Sequence, residues 1–437
     1  MGLYFGTDGL RGIVNEDLTY ETAFKCGNAL SFLKKNPKVV IGRDTRVSGE
    51  YLTLAVALGA CAGGAKVIDT GIMPTAGVAY LTRLYKADYG VVISASHNPK
   101  EYNGIKIFDQ NGYKLGDKQE ERVERCFIHS KINEFPDIGG YEFYKNAAKD
   151  YEKFLISNAF ASLKDMRIVL DGANGAASRI APQVFRALGA SVVATNCFAD
   201  GMRINEKCGA TYIAALKGRM KRYCADVGFA FDGDSDRLIA VDSDGNVVDG
   251  DAIIYVLAKY LKEKGKLNKN TAVGTSHTNM AYEKALKAEG IDFIRTDIGD
   301  KYVLQKLAED GLSLGGEQSG HIILKDIHST GDGILTAVVL ASVLSEKGAS
   351  LSELACVKPY PQINVNVIIS DKHRVINSEA VSEKVAEIKS ALGGEGRVMV
   401  RASGTEPKIR IMVEGENEEI CQKYAEELKA VVIAAEK

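Results

Sequence analysis

A chain of 437 residues is too long for a single core and sets an expectation of about three or four domains. With 26% charged residues, 46% apolar residues and a formal net charge of −2, it lacks the basic footprint of a nucleic-acid binder or a polybasic membrane surface, so a small soluble molecule is the expected partner. Eight cysteines contain no C-x-x-C pair, which argues for reduced structural thiols and against zinc.

The first residues, MGLYFGTDGL, hold neither a basic stretch nor a long apolar one, and no window approaches about 18 uninterrupted apolar residues. A cytoplasmic protein without a membrane partner is expected. FGTDGLRG (5–12) and GRDTR (42–46) place Arg11, Arg43 and Arg46 in glycine-rich loops, where each either faces an anion or lies on the surface. KVVIGRDTR (38–46) opens a unit of strand, loop, helix and strand that recurs from RIVLDGANG (167–175) and from TAVGTSHTN (271–279). In each copy the helix stops at a glycine, Gly63-Gly64, Gly189 or Gly290, suited to a left-handed cap, and the next strand can join the first in parallel by a right-handed crossover. Three similar α/β domains follow from this repeat.

Within the first domain, VVISASHNPKEYNGIKIF (91–108) reads as a buried strand, a polar loop and a second strand. Asn103-Gly104 is read as the turn into IKIF, and Ser96, His97 and Asn98 as an apex presented outward. Lys106 is the odd charge in IKIF, so it faces a polar pocket or snorkels. KINEFPDI (131–138) reads as a linker and Tyr141 to Ser157 as a helix entering the second domain. The boundaries expected are 1–150, 151–249, 250–358 and 359–437, the last after the Pro359-Tyr360-Pro361 linker. The C-terminal stretch, with alternating strands and a charged helix from Glu418, reads as a small α+β domain.

Asp232, Asp234 and Asp236 follow the strand GFAF at every second position, so their carboxylates can converge at the carboxyl end of a sheet strand, where α/β ligands bind. Such a cluster is tolerable if a hard cation neutralises it, and oxygen-only ligands point to Mg²⁺; the bland alternative is a solvated acidic turn. An EF-hand fails on spacing, because Arg237 and Ser243 stand where glycine and glutamate are needed. RASGTEPKIR (401–410) combines Arg401, Ser403, Thr405 and Arg410 with the bare backbone around Gly404, a set suited to a phosphate dianion. GGEQSGH (315–321) offers Glu317, Ser319 and His321 to sugar hydroxyls. No G-x-S-x-G surrounds Ser96 and no Walker-type loop occurs, which disfavours a hydrolase elbow and a P-loop ATPase.

These are the parts of a phosphoryl-transfer site. The ordered set FGTDGLRG, ISASHNPKEYNGIKIF, FDGDSDR, GGEQSGH and RASGTEPKIR resembles the α-D-phosphohexomutases over nearly the whole chain, and among them most closely the phosphoglucosamine mutase branch. The resemblance implies a heart-shaped α/β architecture of four domains, three alike with mixed sheets and a smaller α+β fourth. It also implies interconversion of glucosamine 6-phosphate and glucosamine 1-phosphate through a phosphoserine and a bisphosphorylated sugar, supplying UDP-N-acetylglucosamine and cell-wall synthesis; the alternatives are a phosphomannomutase/phosphoglucomutase and a non-catalytic sugar-phosphate-binding protein. By the same resemblance Ser96 carries the phosphoryl group and joins Asp232, Asp234 and Asp236 around one Mg²⁺, and Arg11 and Lys106 assist proton transfer and charge stabilisation beside His97 and Arg237. Glu317 and Ser319 would bind the sugar and residues 401–410 the phosphate at rest; a sugar 1,6-bisphosphate is the implied activator, and a homodimer is left open. Ser235 departs from the family's usual glycine in the aspartate loop. IGDKYV (298–303) is similar to the GDRYV loop of that branch, with Lys301 in place of arginine; Asp300 there either favours a C2 ammonium or caps the helix beginning at Tyr302.

Overall fold

The computed structural model describes residues 5–6, 9–129, 132, 138–403 and 407–436. By packing, the chain divides into two units: residues up to His277 with Gly290–Cys356, and Thr278–Glu289 with the chain from Val357.

The larger unit holds three mixed sheets. The first contains β1 (Phe5–Gly6), β2 (Gly9–Ile13), β3 (Lys38–Arg43), β4 (Lys66–Ile72), β5 (Tyr89–Ile93), β6 (Tyr102–Asp109) and β7 (Gly140–Phe143), in the order β1-β2-β6-β5-β3-β4-β7. Val39, Val40 and Ile41 are buried on both faces of β3, as a continuous apolar run in a central parallel strand should be. The helices Tyr20–Leu33 and Val47–Ala62 contribute Leu30, Leu52 and Val56 to the same core as Val39, Ile41, Val91 and Ile105. The second sheet contains β8 (Arg167–Asp171), β9 (Ser191–Thr195), β10 (Val227–Phe231), β11 (Leu238–Asp242) and β12 (Val247–Val248), in the order β12-β11-β10-β8-β9. The third contains β13 (Thr271–Thr275), β14 (Asp292–Thr296), β15 (Leu314–Gly316) and β16 (Ile322–Leu324), in the order β14-β13-β15-β16.

The repeat read from the sequence is present in all three sheets: β3 and β4, β8 and β9, and β13 and β14 pair in parallel across one helix. Gly64, Gly189 and Gly290 take φ of +84°, +95° and +65°, the left-handed conformation that ends each crossover helix. All eight cysteines are free thiols, and among the described residues no helix is long and apolar enough to cross a membrane.

Two local readings are corrected. Asn103-Gly104 is no turn: both residues lie inside β6, opposite Gly12 and Arg11 of β2. The glycine is needed there for close approach, since a Cβ at position 104 would stand 2.6 Å from the Ser94 carbonyl oxygen and 2.8 Å from that of Leu10. Tyr141 to Phe143 form β7, paired in parallel with β4, and the helix starts only at Ala147. An exposed edge strand of four residues has too little periodicity to be told from a first helical turn. The linker 131–138 falls mostly outside the described residues.

The smaller unit contains an antiparallel sheet of β17 (Gln362–Ile368), β18 (Gly396–Ala402) and β19 (Lys408–Gly415), in the order β17-β19-β18, packed against the helices Glu379–Leu392 and Glu418–Ala434. It also includes the crossover helix Met280–Ala288 of the third repeat. The proline linker is pinned: Asn279 accepts from the Tyr360 amide at 3.0 Å and donates to its carbonyl at 2.9 Å. The fully buried Glu414 accepts two bonds of 3.1 Å from Arg397 and one of 2.8 Å from the Met280 amide.

Candidate active site

β5 ends at Ile93, and the chain turns at once into the serine loop. Ser94 Oγ donates to Asp44 Oδ2 at 2.5 Å and accepts from the Ser96 amide at 2.9 Å, which holds Ser96 at φ +52°. Against the expectation of an outward apex, Ser96 is 3% exposed, because the second sheet's aspartate loop covers it. Its Oγ donates to Asp232 Oδ2 at 2.6 Å and lies 3.3 Å from His97 Nδ1.

The aspartate loop leaves β10, a fully buried strand hydrogen-bonded on both edges, at its carboxyl end. Oxygens of Asp232, Asp234 and Asp236 lie within 4.8 Å of one another, and all three residues are buried. Lys106 Nζ, reaching across from β6, stands 3.0 Å from Asp234 Oδ2 and 3.6 Å from Asp236 Oδ2, so it faces a polar pocket rather than solvent. Thr75 Oγ1 donates to Asp234 Oδ2 at 2.7 Å. Asp234 Oδ1 and Asp236 Oδ1 are buried without a hydrogen-bond partner among the described residues. Two orphaned carboxylate oxygens within a cluster of three converging carboxylates fit a hard divalent cation, which would satisfy them; a solvated acidic turn would leave them to water.

The electrostatics of the cluster agree. Burial, then the charges of Asp236 and Asp234, push the Asp232 carboxyl up to about 8. Asp236 goes the other way: against burial, Lys106 and His321 hold its carboxyl well below the usual range. Burial, then Arg237 and Arg11, push the His97 imidazole down to about 4, so it is neutral.

Ser96 opens onto a cavity of about 270 Å³ lined also by Arg11, Asp236, Arg237, Glu317, His321 and Asp300. β15 and β16 pair as a tight hairpin whose loop delivers Glu317 and His321 to this cavity. Glu317 Oε1 accepts from the Gly299 amide at 3.1 Å, and burial raises its carboxyl. His321 Nδ1 is 3.6 Å from Asp236 and its Nε2 3.5 Å from Asp300; those two carboxylates raise the imidazole toward its charged form despite burial. Ser319, on the same loop, is half-buried and is not among the lining residues. Asp300 does not cap its helix. Gly299 occupies the N-cap position, and the Asp300 carboxylate instead pairs with Lys114 Nζ at 2.6 Å. Lys114, Lys301 and Tyr302 line the cavity too, a role for which the sequence around Lys114 carries no motif.

In the smaller unit, Arg401 and Arg410 are directly opposite across β18 and β19. Burial and the Arg410 charge both lower the Arg401 pKa. Like charges facing each other across strands are unfavourable without an anion between them. Ser403 is buried, and its carbonyl accepts from Lys372 Nζ at 2.5 Å. Gly404 and Thr405 lie outside the described residues.

The chain matches, in order, family profiles described as phosphoglucomutase/phosphomannomutase alpha/beta/alpha domain I (residues 2–133), domain II (144–245), domain III (249–360) and C-terminal domain (364–431). It is 48% identical over 444 residues to a phosphoglucosamine mutase of Thermoanaerobacter pseudethanolicus, covering 99% of both chains. To that of Geobacillus thermodenitrificans it is 45% identical over 442 residues, covering 99% of this chain and 98% of the relative. A phosphoglucomutase/phosphomannomutase family protein of Burkholderia thailandensis superposes with a TM-score of 0.84 at 24% identity, over 99% of this chain and 97% of that one. An Aspergillus fumigatus N-acetylphosphoglucosamine mutase, solved in complex with GlcNAc-6P and magnesium, superposes with a TM-score of 0.72 at 17% identity, over 100% and 96%.

Proposed function

Because the chain belongs to the phosphoglucomutase/phosphomannomutase family, we propose that it moves a phosphoryl group between O6 and O1 of glucosamine, with Ser96 as the carrier. The observation that carries this reading is the Ser96 hydroxyl, 2.6 Å from a buried carboxylate triad and open to a cavity with arginines and carboxylates on its walls. Phospho-Ser96 donates to the free hydroxyl of the sugar monophosphate, the bisphosphorylated sugar turns over, and Ser96 recovers the other phosphoryl group. A sugar 1,6-bisphosphate is then both intermediate and activator. Asp232, Asp234 and Asp236, with an oxygen of Ser96 or its phosphoryl group, are the proposed holders of Mg²⁺, which when bound neutralises charge on the phosphoryl oxygens. Lys106 offsets the triad's charge from behind, while Arg11 and Arg237 meet the phosphoryl group from the cavity side. Arg401, Ser403, Gly404, Thr405 and Arg410 are assigned to the phosphate at rest.

Glucosamine is favoured by local pairing at C2 rather than by the cavity's overall charge, since Arg11, Lys114, Arg237 and Lys301 also line it. Its C2 ammonium meets a cavity that contains Asp300 and Glu317, whereas a neutral hydroxyl would be rewarded less. The relatives' names support the same sugar. Catalytic efficiencies for glucosamine, glucose and mannose phosphates under one set of conditions test it: glucosamine leads, and Asp300→Asn narrows the lead. A preference for mannose or glucose would contradict the sugar while leaving the transfer chemistry standing. The domain division 1–150, 151–249, 250–358 and 359–437, a cytoplasmic location and a homodimer belong to the same proposal. Limited proteolysis checks the first, fractionation the second and sedimentation the third.

A further inference from the structure

Arg46 sits at the entrance to the helix Val47–Ala62 and takes no part in the cavity, yet it is 2% exposed and its side chain has no contact with solvent. A buried guanidinium is costly unless every donor is satisfied. All five N–H groups are. Nε donates to Asp44 Oδ2 at 2.9 Å. NH1 donates to the carbonyls of Pro99 and, at 2.9 Å, Tyr102; NH2 donates to those of Ser96 at 3.0 Å and Asn98 at 2.7 Å. Four of the five acceptors are therefore backbone oxygens, three in the loop that carries Ser96 and one, Tyr102, where that loop enters β6. From the second sheet's side Asn205 Nδ2 donates to two of the same oxygens, Ser96 at 2.9 Å and Asn98 at 3.1 Å. Asp44 completes the frame, accepting from both Arg46 and Ser94 Oγ.

The loop needs such a frame, because Ser96 is held at φ +52°, a left-handed conformation that is strained for a non-glycine residue and relaxes unless its surroundings over-determine it. We propose that Arg46 is a positioning residue for phosphoryl transfer: its planar fork, assisted by Asn205, holds the Ser96 backbone so that Oγ faces Asp232 and the cavity. The inference rests on Ser96 being the phosphoryl carrier. Lysine cannot substitute, since three donors from one point cannot reach five acceptors spread around a plane.

The test uses the full chain with Mg²⁺ and glucose 1,6-bisphosphate, following phosphoryl uptake on Ser96 by intact mass alongside steady-state kinetics. Arg46→Lys and Asn205→Ala are compared with the wild type, and Arg46→Ala is assayed with and without free guanidinium. Positioning predicts kcat and uptake rate lower together, by about tenfold or more for Arg46→Lys and less for Asn205→Ala, with KM for the sugar phosphate nearly unchanged. Guanidinium should restore part of the Arg46→Ala rate. If both Arg46 variants fail to fold, Asn205→Ala decides, since it removes two bonds to the same oxygens while leaving the Arg46 guanidinium in place. Wild-type uptake and kcat in Asn205→Ala, or in a folded Arg46→Lys, would overturn the inference. A wild-type chain that takes up no phosphoryl group would instead overturn the mutase reading itself.

Discussion

Ser235 sits between two of the triad aspartates at φ +63°, fully buried, with an Oγ that has no hydrogen-bond partner among the described residues. Two terms oppose this serine: about 1 to 2 kcal/mol for the left-handed backbone and about 1 to 3 kcal/mol for the unsatisfied hydroxyl. One favours it, since glycine would add about 0.4 to 1 kcal/mol of chain entropy to the unfolded state. Ser235→Gly is therefore expected to stabilise the protein by at least about 1 kcal/mol, read from urea unfolding, with turnover preserved because no carboxylate is lost. Equal or lower stability would mean that the hydroxyl has an unseen partner. Ser96, read from the sequence as an outward apex, is buried, and that burial reaches stability. As a buried donor to Asp232 it contributes to folding, so Ser96→Ala should cost about 1 kcal/mol as well as abolish transfer.

His328 gives a pH dependence at this scale. It is buried among Tyr80, Phe154 and Arg83; its Nδ1 accepts from the Ser329 amide at 2.7 Å and its Nε2 lies 3.0 Å from the Ala76 carbonyl, which fixes a neutral tautomer. Burial, then Arg83, push the imidazole from its ordinary 6.5 down to about 3. A base with a depressed pKa in the fold is protonated first in the unfolded chain, so its contribution is complete above pH 6.5 and is lost as pH falls toward about 3. The nearby Asp332 carboxyl, raised to about 6 by burial, works in the opposite direction, so the variant comparison isolates the histidine. His328→Gln should be less stable than wild type at pH 7, and the two curves should approach each other on acidification.

At the scale of elements, Arg401 and Arg410 are opposed across β18 and β19, and the proposed phosphate site rests on that pairing. A charge-assisted contact is worth about 1.5 to 3 kcal/mol, so Arg410→Ala should raise KM for phosphosugars about tenfold or more while the unit stays folded. An unchanged KM would place the phosphate elsewhere. Elements were legible in the sequence where their signal is local. The three crossover units announce themselves by an apolar run, a helix-length segment and a capping glycine, and the aspartates by spacing alone. What needed the structure depends on partners far along the chain. The burial of Ser96 comes from a loop 136 residues away, and the role of Arg46 from acceptors 50 to 56 residues away. Asn103-Gly104 misled because close strand approach and a tight turn both select glycine.

For the whole molecule, the triad is the point where the first two sheets meet: Asp232 accepts from Ser96, and Asp234 from Thr75 and Lys106. Asp234 Oδ1 and Asp236 Oδ1 are left without a hydrogen-bond partner among the described residues, and burial with the crowded carboxylates raises the Asp232 carboxyl, so a bound Mg²⁺ should raise the thermal midpoint, and a chelator should lower it and stop turnover. A midpoint indifferent to both would count against the metal. The central claim is that Ser96 carries the phosphoryl group. Intact mass with peptide mapping, after loading with glucose 1,6-bisphosphate and then chasing with glucosamine 6-phosphate, tests it most directly. The account predicts one phosphoryl group on Ser96 that leaves during the chase; full mutase turnover by Ser96→Ala, or a label on another residue, would contradict it.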